Sequence, residues 1–498
     1  MTGHAALLPD LLRERAAAEP HRVALTVDGR GSMSYGDWER RSNTIARSLI
    51  RLGVAVGDRV VTFFENAEWL DFAAAYFGVL KAGAVAVPLS SRFTGPELSS
   101  IIDHCASVGV VGGGGPKPQA PGWAARIAEL ENGESGEAFQ VPVAAESVAE
   151  ILYTAGTTGL SKGVACRHLH AVRTLMDASW PPAWWSACAG GISVHANAVS
   201  TAAGQLRLLE PLGPLRMTAL ALPVFDPDRL CGLLAETAAV VVQLVPSMAA
   251  SILESGAERR HDLSAVRIVS LGCAPLPTPL APRLSAAFPS ARLVNLYELT
   301  EARHAGTALL YGEAPAESVG TPRGATLVRV TTELGEELPP GVVGEVRLRW
   351  PGVPPQHYFR DAEATASVFV DGWTRTGDAG YLDEAGHLHL VDRLKDVIIK
   401  GGMTIGSLEV ENALCEHKAV ADCAVFGFPD RVHGENLAAA LVLRQPVAFR
   451  DLRDFLFRRL APHKIPTRYL RLDALPRNTS GKVLKSQLRE RIVHGGPM

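Results

Sequence analysis

A chain of 498 residues is too long for one hydrophobic core and implies two to four domains or subdomains. Its composition, 47% hydrophobic and 20% charged, is that of a folded globular protein, and a formal charge of −3 excludes a general nucleic-acid binder. Seven scattered cysteines with no C-x-x-C pair exclude a disulfide framework or a thiolate zinc site, and no apolar run approaches the ~18 residues that span a bilayer. The N-terminal "MTGHAALLPDLLRERAAAEP" has no basic segment leading into an apolar one, so the expectation is a cytoplasmic protein with reduced thiols and no membrane insertion.

In chain order, the first 110 residues alternate two kinds of segment. "LLPDLLRERAAAEP" and "GDWERRSNTIARSLIRLG" carry apolar residues at helical spacing, whereas "RVALTV", "DRVVTFF" and "AVAVPL" are short β-branched runs that end in turn residues. Alternation of this kind predicts α/β layers around a largely parallel sheet. A Gly/Pro-rich connection over 112–145 leads into an apolar strand and the loop "YTAGTTGLSKGVACRH" (153–168). A second α/β stretch, containing "AAVVVQLVP" and "AVRIVSLGCAPLP", covers about 170–320, and 326–391 turns to β, suggesting a small twisted sheet or barrel. A compact α+β unit follows "LVDRLKDVIIKGG"; its last 48 residues hold eleven Lys/Arg against four acids, a face suited either to solvent or to a polyphosphate or acidic partner.

The 153–168 loop has the chemistry of a phosphate cradle without P-loop spacing: where that rule needs glycine there is Ser161, and Gly163 follows Lys162. Its glycines allow close backbone approach to anionic oxygens, Thr154, Thr157 and Thr158 add hydroxyls, and Lys162 adds a positive charge. In "NLYELTEA" (295–302) a hydroxyl stands beside a carboxylate, a pairing that serves a phosphate and its Mg²⁺. "TRTGDAGYLDEAGHL" puts Asp378 in a tight turn, where a carboxylate can accept both hydroxyls of a ribose. "DRLKDVIIKGG" supplies Arg393 and Lys395 at the domain junction, and "LPRNTSGKVLK" exposes Lys482 on a Gly/Ser loop. Any one of these is a weak signal, since each acid or lysine could be a plain surface residue.

All five in this order resemble the adenylate-forming (AMP-binding) superfamily of acyl- and aryl-CoA ligases, nonribosomal peptide synthetase adenylation domains and luciferases. The resemblance covers about residues 8–492 and includes "LKAGAVAVPL", "FDPDRL", "LGCAPLP" and "SVGTPRG". It implies an α/β fold: a large N-terminal domain of layered α/β subdomains with a small β-barrel-like subdomain (1–394), then a small mobile α+β C-terminal domain (395–498). It also implies roles. Thr154, Gly156, Thr157, Thr158, Gly159 and Lys162 would hold the β- and γ-phosphates of ATP. Gly272, Cys273, Ala274, Pro275 and Tyr297 would sandwich the adenine, with Asn295 nearby. Thr300 would touch the α-phosphate, Glu301 would help bind Mg²⁺, and Asp378 with Arg393 would bind the ribose. Lys482 would bridge the substrate carboxylate and the α-phosphate, and Lys395 would be the hinge about which the small domain turns to admit a thiol.

The departures are informative. Ala155 and Ser161 replace a serine and a proline of the family pattern, and Ser407 replaces the proline common before "xEVE". Glu298 stands where the family has glycine; its side chain either turns away from the acyl pocket or meets an amino group on the substrate, because an unpaired buried carboxylate is costly. His195 aligns with a pocket gate, its alternative being a satisfied core histidine, and Asn197, Val199 and Leu271 are expected as further pocket walls. The reading is an ATP-dependent ligase that adenylates a compact acid, aromatic or amino-bearing, and passes it to CoA. The alternatives are loading of a carrier protein's phosphopantetheine, or a non-thiol acceptor as in amide formation or diazotisation of an aryl amine with nitrite.

Overall fold

The computed structural model describes residues 7–115, 122–154, 162–177, 182–303, 305–477 and 483–494. Ala155, Gly156, Thr157, Thr158, Gly159, Ser161 and Lys482 lie outside them, so the described part of the 153–168 loop is limited to its flanking strands. Among the described residues the strands form four sheets, of nine, seven, five and five strands.

The seven-stranded sheet contains an antiparallel pair, β1 (Val148–Thr154) and β2 (Lys162–Arg167), in which Thr154 lies opposite Lys162. Residues His357–Tyr358 extend its edge beside β2. The nine-stranded sheet has a parallel centre made of β3 (Ile192–His195), β4 (Val241–Leu244), β5 (Ile268–Leu271) and β6 (Arg292–Glu298). An antiparallel edge completes that side, with β7 (Gly306–Leu310) on β6 and β8 (Thr321–Pro322) on β7. The third sheet includes β9 (Trp373–Leu382) and β10 (Leu388–Arg393), and the fourth is drawn entirely from residues 398–471.

The largest core cluster is built around helix Trp69–Lys81, whose sequence "WLDFAAAYFGVLK" is apolar on every side and is correspondingly buried. At Gly78 this helix meets helix Tyr35–Arg51 so closely that a Cβ would stand 2.5 Å from Ile45 Cγ2, so glycine is required there. At its end the Lys81 side chain is 1% exposed, with Nζ 2.6 Å from Glu39 and donating to Asn43 Oδ1 at 2.7 Å. Burial pulls the Lys81 pKa down to about 8. Among the described residues no helix is long and apolar enough to cross a membrane.

Candidate functional site

Strand β6 organises the site because its successive side chains alternate between the two faces of the nine-stranded sheet. Residue pairs aligned across adjacent strands share a face, so the register assigns each candidate to a side. His195, Gln243, Ser270 and Val294 form one aligned row, which places Leu296 and Glu298 on the same face as His195. Leu271 aligns with Asn295, which places Leu271, Asn295 and Tyr297 on the other face.

On the Tyr297 face, three distant segments converge. The Tyr297 hydroxyl donates to Asp378 Oδ2 at 2.5 Å, and Arg393 Nε stands 2.9 Å from Asp378 Oδ1. Asp378 and Arg393 are aligned partners on β9 and β10; Arg393 also donates to the Thr376 carbonyl, and the Asp378 N–H donates to Thr376 Oγ1. Burial and the adjacent Asp378 carboxylate hold the Tyr297 phenol well above its ordinary pKa, so it is a neutral hydrogen-bond donor. A carboxylate offers about four acceptor positions, a set suited to a ligand diol as well as to Tyr297 and Arg393. Asn295 is 7% exposed and its Oδ1 has no hydrogen-bond partner among the described residues, an acceptor of the kind an adenine amino group satisfies. The 272–275 loop begins as β5 ends, and Cys273 is exposed there with φ at +69°, a left-handed conformation unusual for a residue with a side chain.

The Thr300–Glu301 turn lies just beyond β6 and is fixed from beneath. Arg303 and Glu150, with side chains 2% and 1% exposed, form an ion pair, and the Tyr76 hydroxyl donates to Glu150 Oε2 at 3.0 Å. The Gln356 amide, oriented with its nitrogen toward the turn, donates to the Thr300 and Glu301 carbonyls at 2.7 and 3.0 Å. The Tyr358 hydroxyl donates to Glu301 Oε1 at 3.0 Å, and Lys162 Nζ stands 5.1 Å from the centre of the Tyr358 ring. Glu301, Tyr358 and Lys162 are therefore neighbours drawn from three separate segments. Thr154 turns its hydroxyl toward the Lys162 carbonyl, at 3.4 Å. Among the described residues there is no group of three or more His, Cys, Asp or Glu that could hold a metal alone; Glu301 is a carboxylate that could hold Mg²⁺ together with phosphate oxygens.

The other face carries the acyl-side candidates. His195 is 1% exposed, packs edge-on against Trp69 with ring centres 5.1 Å apart, and accepts from the Asn197 N–H. Burial lowers its pKa to about 3, so the imidazole is neutral. The Glu298 carboxylate is ion-paired with Arg323, a partner that neither sequence expectation included. Two predicted pocket walls sit elsewhere: Val199 is packed in the main core cluster with its N–H on Asn66, and Leu271 is packed with the helices behind the opposite face. Asn197 is half-buried in the segment that follows β3.

At the junction, Lys395 is exposed in a turn closed by the Asp396 and Val397 N–H groups on the Arg393 carbonyl. Ser407 explains its own departure from proline. Its N–H, which proline lacks, donates to Asp392 Oδ2 at 2.7 Å, and its hydroxyl accepts from Lys485 at 2.5 Å. Sequence reasoning missed Gln356, Tyr358 and the Arg303–Glu150 pair, which lie outside the quoted motifs, and Arg323, which sits in "SVGTPRG" without any sign of its partner.

The family model described as AMP-binding enzyme matches residues 12–358, and that of the AMP-binding enzyme C-terminal domain matches 409–482. The chain is 32% identical to the fatty acid–[acyl-carrier-protein] ligase ScoC of Streptomyces coeruleorubidus, over 96% of this chain and 94% of that protein. It is 33% identical to a feruloyl-CoA synthase of an Amycolatopsis species, over 96% and 97%. Among solved structures, ATP-bound MatB from Rhodopseudomonas palustris superposes with a TM-score of 0.87 at 28% identity, covering 99% of both chains. The o-succinylbenzoate CoA synthetase MenE of Bacillus subtilis, in complex with its acyl-adenylate intermediate, gives 0.85 at 26%, covering 97% and 98%.

Proposed function

This chain belongs to the AMP-binding enzyme family as an ATP-dependent, adenylate-forming ligase of the acyl- or aryl-CoA synthetase kind, and from that premise we propose its reaction. It condenses a compact carboxylic acid, aromatic or amino-bearing, with ATP, releases pyrophosphate, and transfers the acyl group from the adenylate to the thiol of CoA. The convergence of Tyr297, Asp378 and Arg393 beside the Asn295 oxygen carries this reading, because it makes a ribose and adenine seat from residues remote in sequence.

In this reading Asp378 accepts from the ribose hydroxyls while Tyr297 and Arg393 hold it in place. Thr300 meets the α-phosphate, and the 154–162 loop with Lys162 holds the phosphates that leave. Magnesium, when bound with the nucleotide, neutralises phosphate charge, and Glu301 is the carboxylate that would hold it. A carboxylate is repelled by the triphosphate it must attack, so the enzyme's work is positioning and charge stabilisation, with Lys482 bridging the two anions. The boundary near 394, with Lys395 as hinge, lets the 395–498 unit turn between the two half-reactions.

The purified chain should catalyse ATP–pyrophosphate exchange with at least one member of a panel of aryl, amino-aryl and short aliphatic acids. It should then release AMP faster when CoA is added than with a carrier protein or nitrite. Absence of exchange with every acid defeats the adenylation reading, and AMP release confined to the carrier-protein arm replaces CoA as acceptor. That second reading is favoured by the similarity to the carrier-protein ligase of Streptomyces coeruleorubidus.

A further inference from the structure

Glu298 and Arg323 meet across a missing side chain. Glu298 at the end of β6 aligns with Gly306 on β7, and Arg323, one residue past β8, follows the Thr307–Pro322 pair, its N–H donating to the Gly306 carbonyl at 3.0 Å. The three residues form one row across three strands, its ends separated by about 10 Å of sheet. The central glycine leaves a gap over which the glutamate and guanidinium reach each other. A Cβ on Gly306 would stand 3.4 Å from both Glu298 Cγ and Arg323 Nε, and 2.5 Å from the Tyr297 carbonyl oxygen. The Arg323 side chain is 9% exposed and that of Glu298 25%, so the pair is largely withdrawn from water. It lies on the face of β6 that carries His195, two residues before Thr300.

We infer that Arg323 is a specificity-determining positioning residue: it ties down and neutralises Glu298, so that the acyl side presents a wall with two charges and no net charge. The inference rests on the adenylation reading above and on this face of β6 being its acyl side. A buried charge whose partner is removed must find another counter-ion or lose its charge, and the nearest available group is the distal end of the substrate acid. The wild-type wall has no unmet charge and so disfavours an acid whose far end is ionic. Removing Arg323 leaves an unmatched carboxylate that selects a cationic tail, and removing the Glu298 charge tips the net charge of the wall positive, which favours an anionic one. This reverses the simplest expectation from Glu298 alone, because an amine on the substrate has to displace Arg323 to reach that carboxylate.

The test uses three acids of nearly equal shape, 4-methylbenzoate, 4-(aminomethyl)benzoate and terephthalate, in ATP–pyrophosphate exchange with wild type, R323M, E298Q and the double variant. The expected result is a wild-type preference for the neutral acid. R323M should shift the cation-to-neutral ratio of kcat/KM upward by about tenfold, and E298Q the anion-to-neutral ratio by a similar factor, the order of effect for one unmatched charge at a desolvated contact. The double variant, which carries neither charge, should return toward the wild-type ranking and guards against either single variant folding poorly. Equal rankings in all four proteins overturn the role of Arg323 while leaving adenylation intact. Absence of exchange by the wild type with all three acids and with the wider panel overturns the reading on which the inference rests, and the inference with it.

Discussion

The two faces of strand β6 solve the same problem differently. On one face Asp378 engages two partners at once, the Tyr297 hydroxyl and the Arg393 guanidinium. On the other, Glu298 is spent on a single guanidinium across Gly306. In the proposed reading the first arrangement serves the nucleotide, common to every turnover, and the second shapes a wall for the acid, which varies between enzymes. Tyr297 and Glu298, adjacent in the chain, face opposite sides of the sheet because a strand's side chains alternate.

If the faces are independent, Asp378→Ala lowers kcat/KM for ATP by about a hundredfold or more, through loss of two hydrogen bonds to a charged group at ~1.5–3 kcal/mol each. The loss should be the same for every acid tested by pyrophosphate exchange. A loss that depends on the charge of the acid breaks the division between faces. Lys81, remote from both, supplies a control on global stability. Its pKa is lowered to about 8 by burial, while an unfolded lysine titrates near 10.4, so between these values the unfolded chain binds more protons than the folded one. Thermal stability should therefore rise from pH 8 to pH 10, by on the order of 1–3 kcal/mol, and level off below pH 8, where both states hold the proton. Lys81→Met should flatten that rise in melting curves without changing the ranking of acids.

Gly306→Ala strains the sheet from the Glu298 face, since its Cβ would press on the Tyr297 backbone carbonyl and into the gap between Glu298 and Arg323. A cost of roughly 1–3 kcal/mol, read as a lower Tm, is expected from such overpacking. A neutral result would mean that the strands separate easily and that the row is not rigid. Tyr358→Phe is the mildest change. It removes one hydrogen bond to Glu301 and should raise the Mg²⁺ concentration needed for half-maximal exchange by a few-fold, about 1 kcal/mol, without altering the preference among acids.

The face of Tyr297 is the more legible one. Tyr297, Asp378 and Arg393 each sit in a local motif whose residue types announce their chemistry, and the structure brings those three together. The acyl face was legible only in half. Glu298 stood out as a departure, but its partner lies in another strand, and nothing in "SVGTPRG" marks Arg323 as opposite Gly306; only the register of three strands makes that contact. Leu271 shows the reverse error. It directly precedes Gly272, yet strand alternation turns its side chain to the face opposite His195. Ser407 looked like the loss of a proline and is instead a gained N–H, recognisable only once Asp392 is seen beside it.

Cys273 has a practical consequence. It is exposed on the loop proposed to hold the adenine, whereas the other six cysteines are buried or half-buried. A thiol-reactive fluorophore would attach there first and turn the unmodified chain into its own reporter. Nucleotide arrival and departure could then be timed in a stopped-flow instrument from a change in emission, with no isotope and no coupling enzyme. Slower dye attachment in the presence of ATP would show directly that the loop lies against the nucleotide.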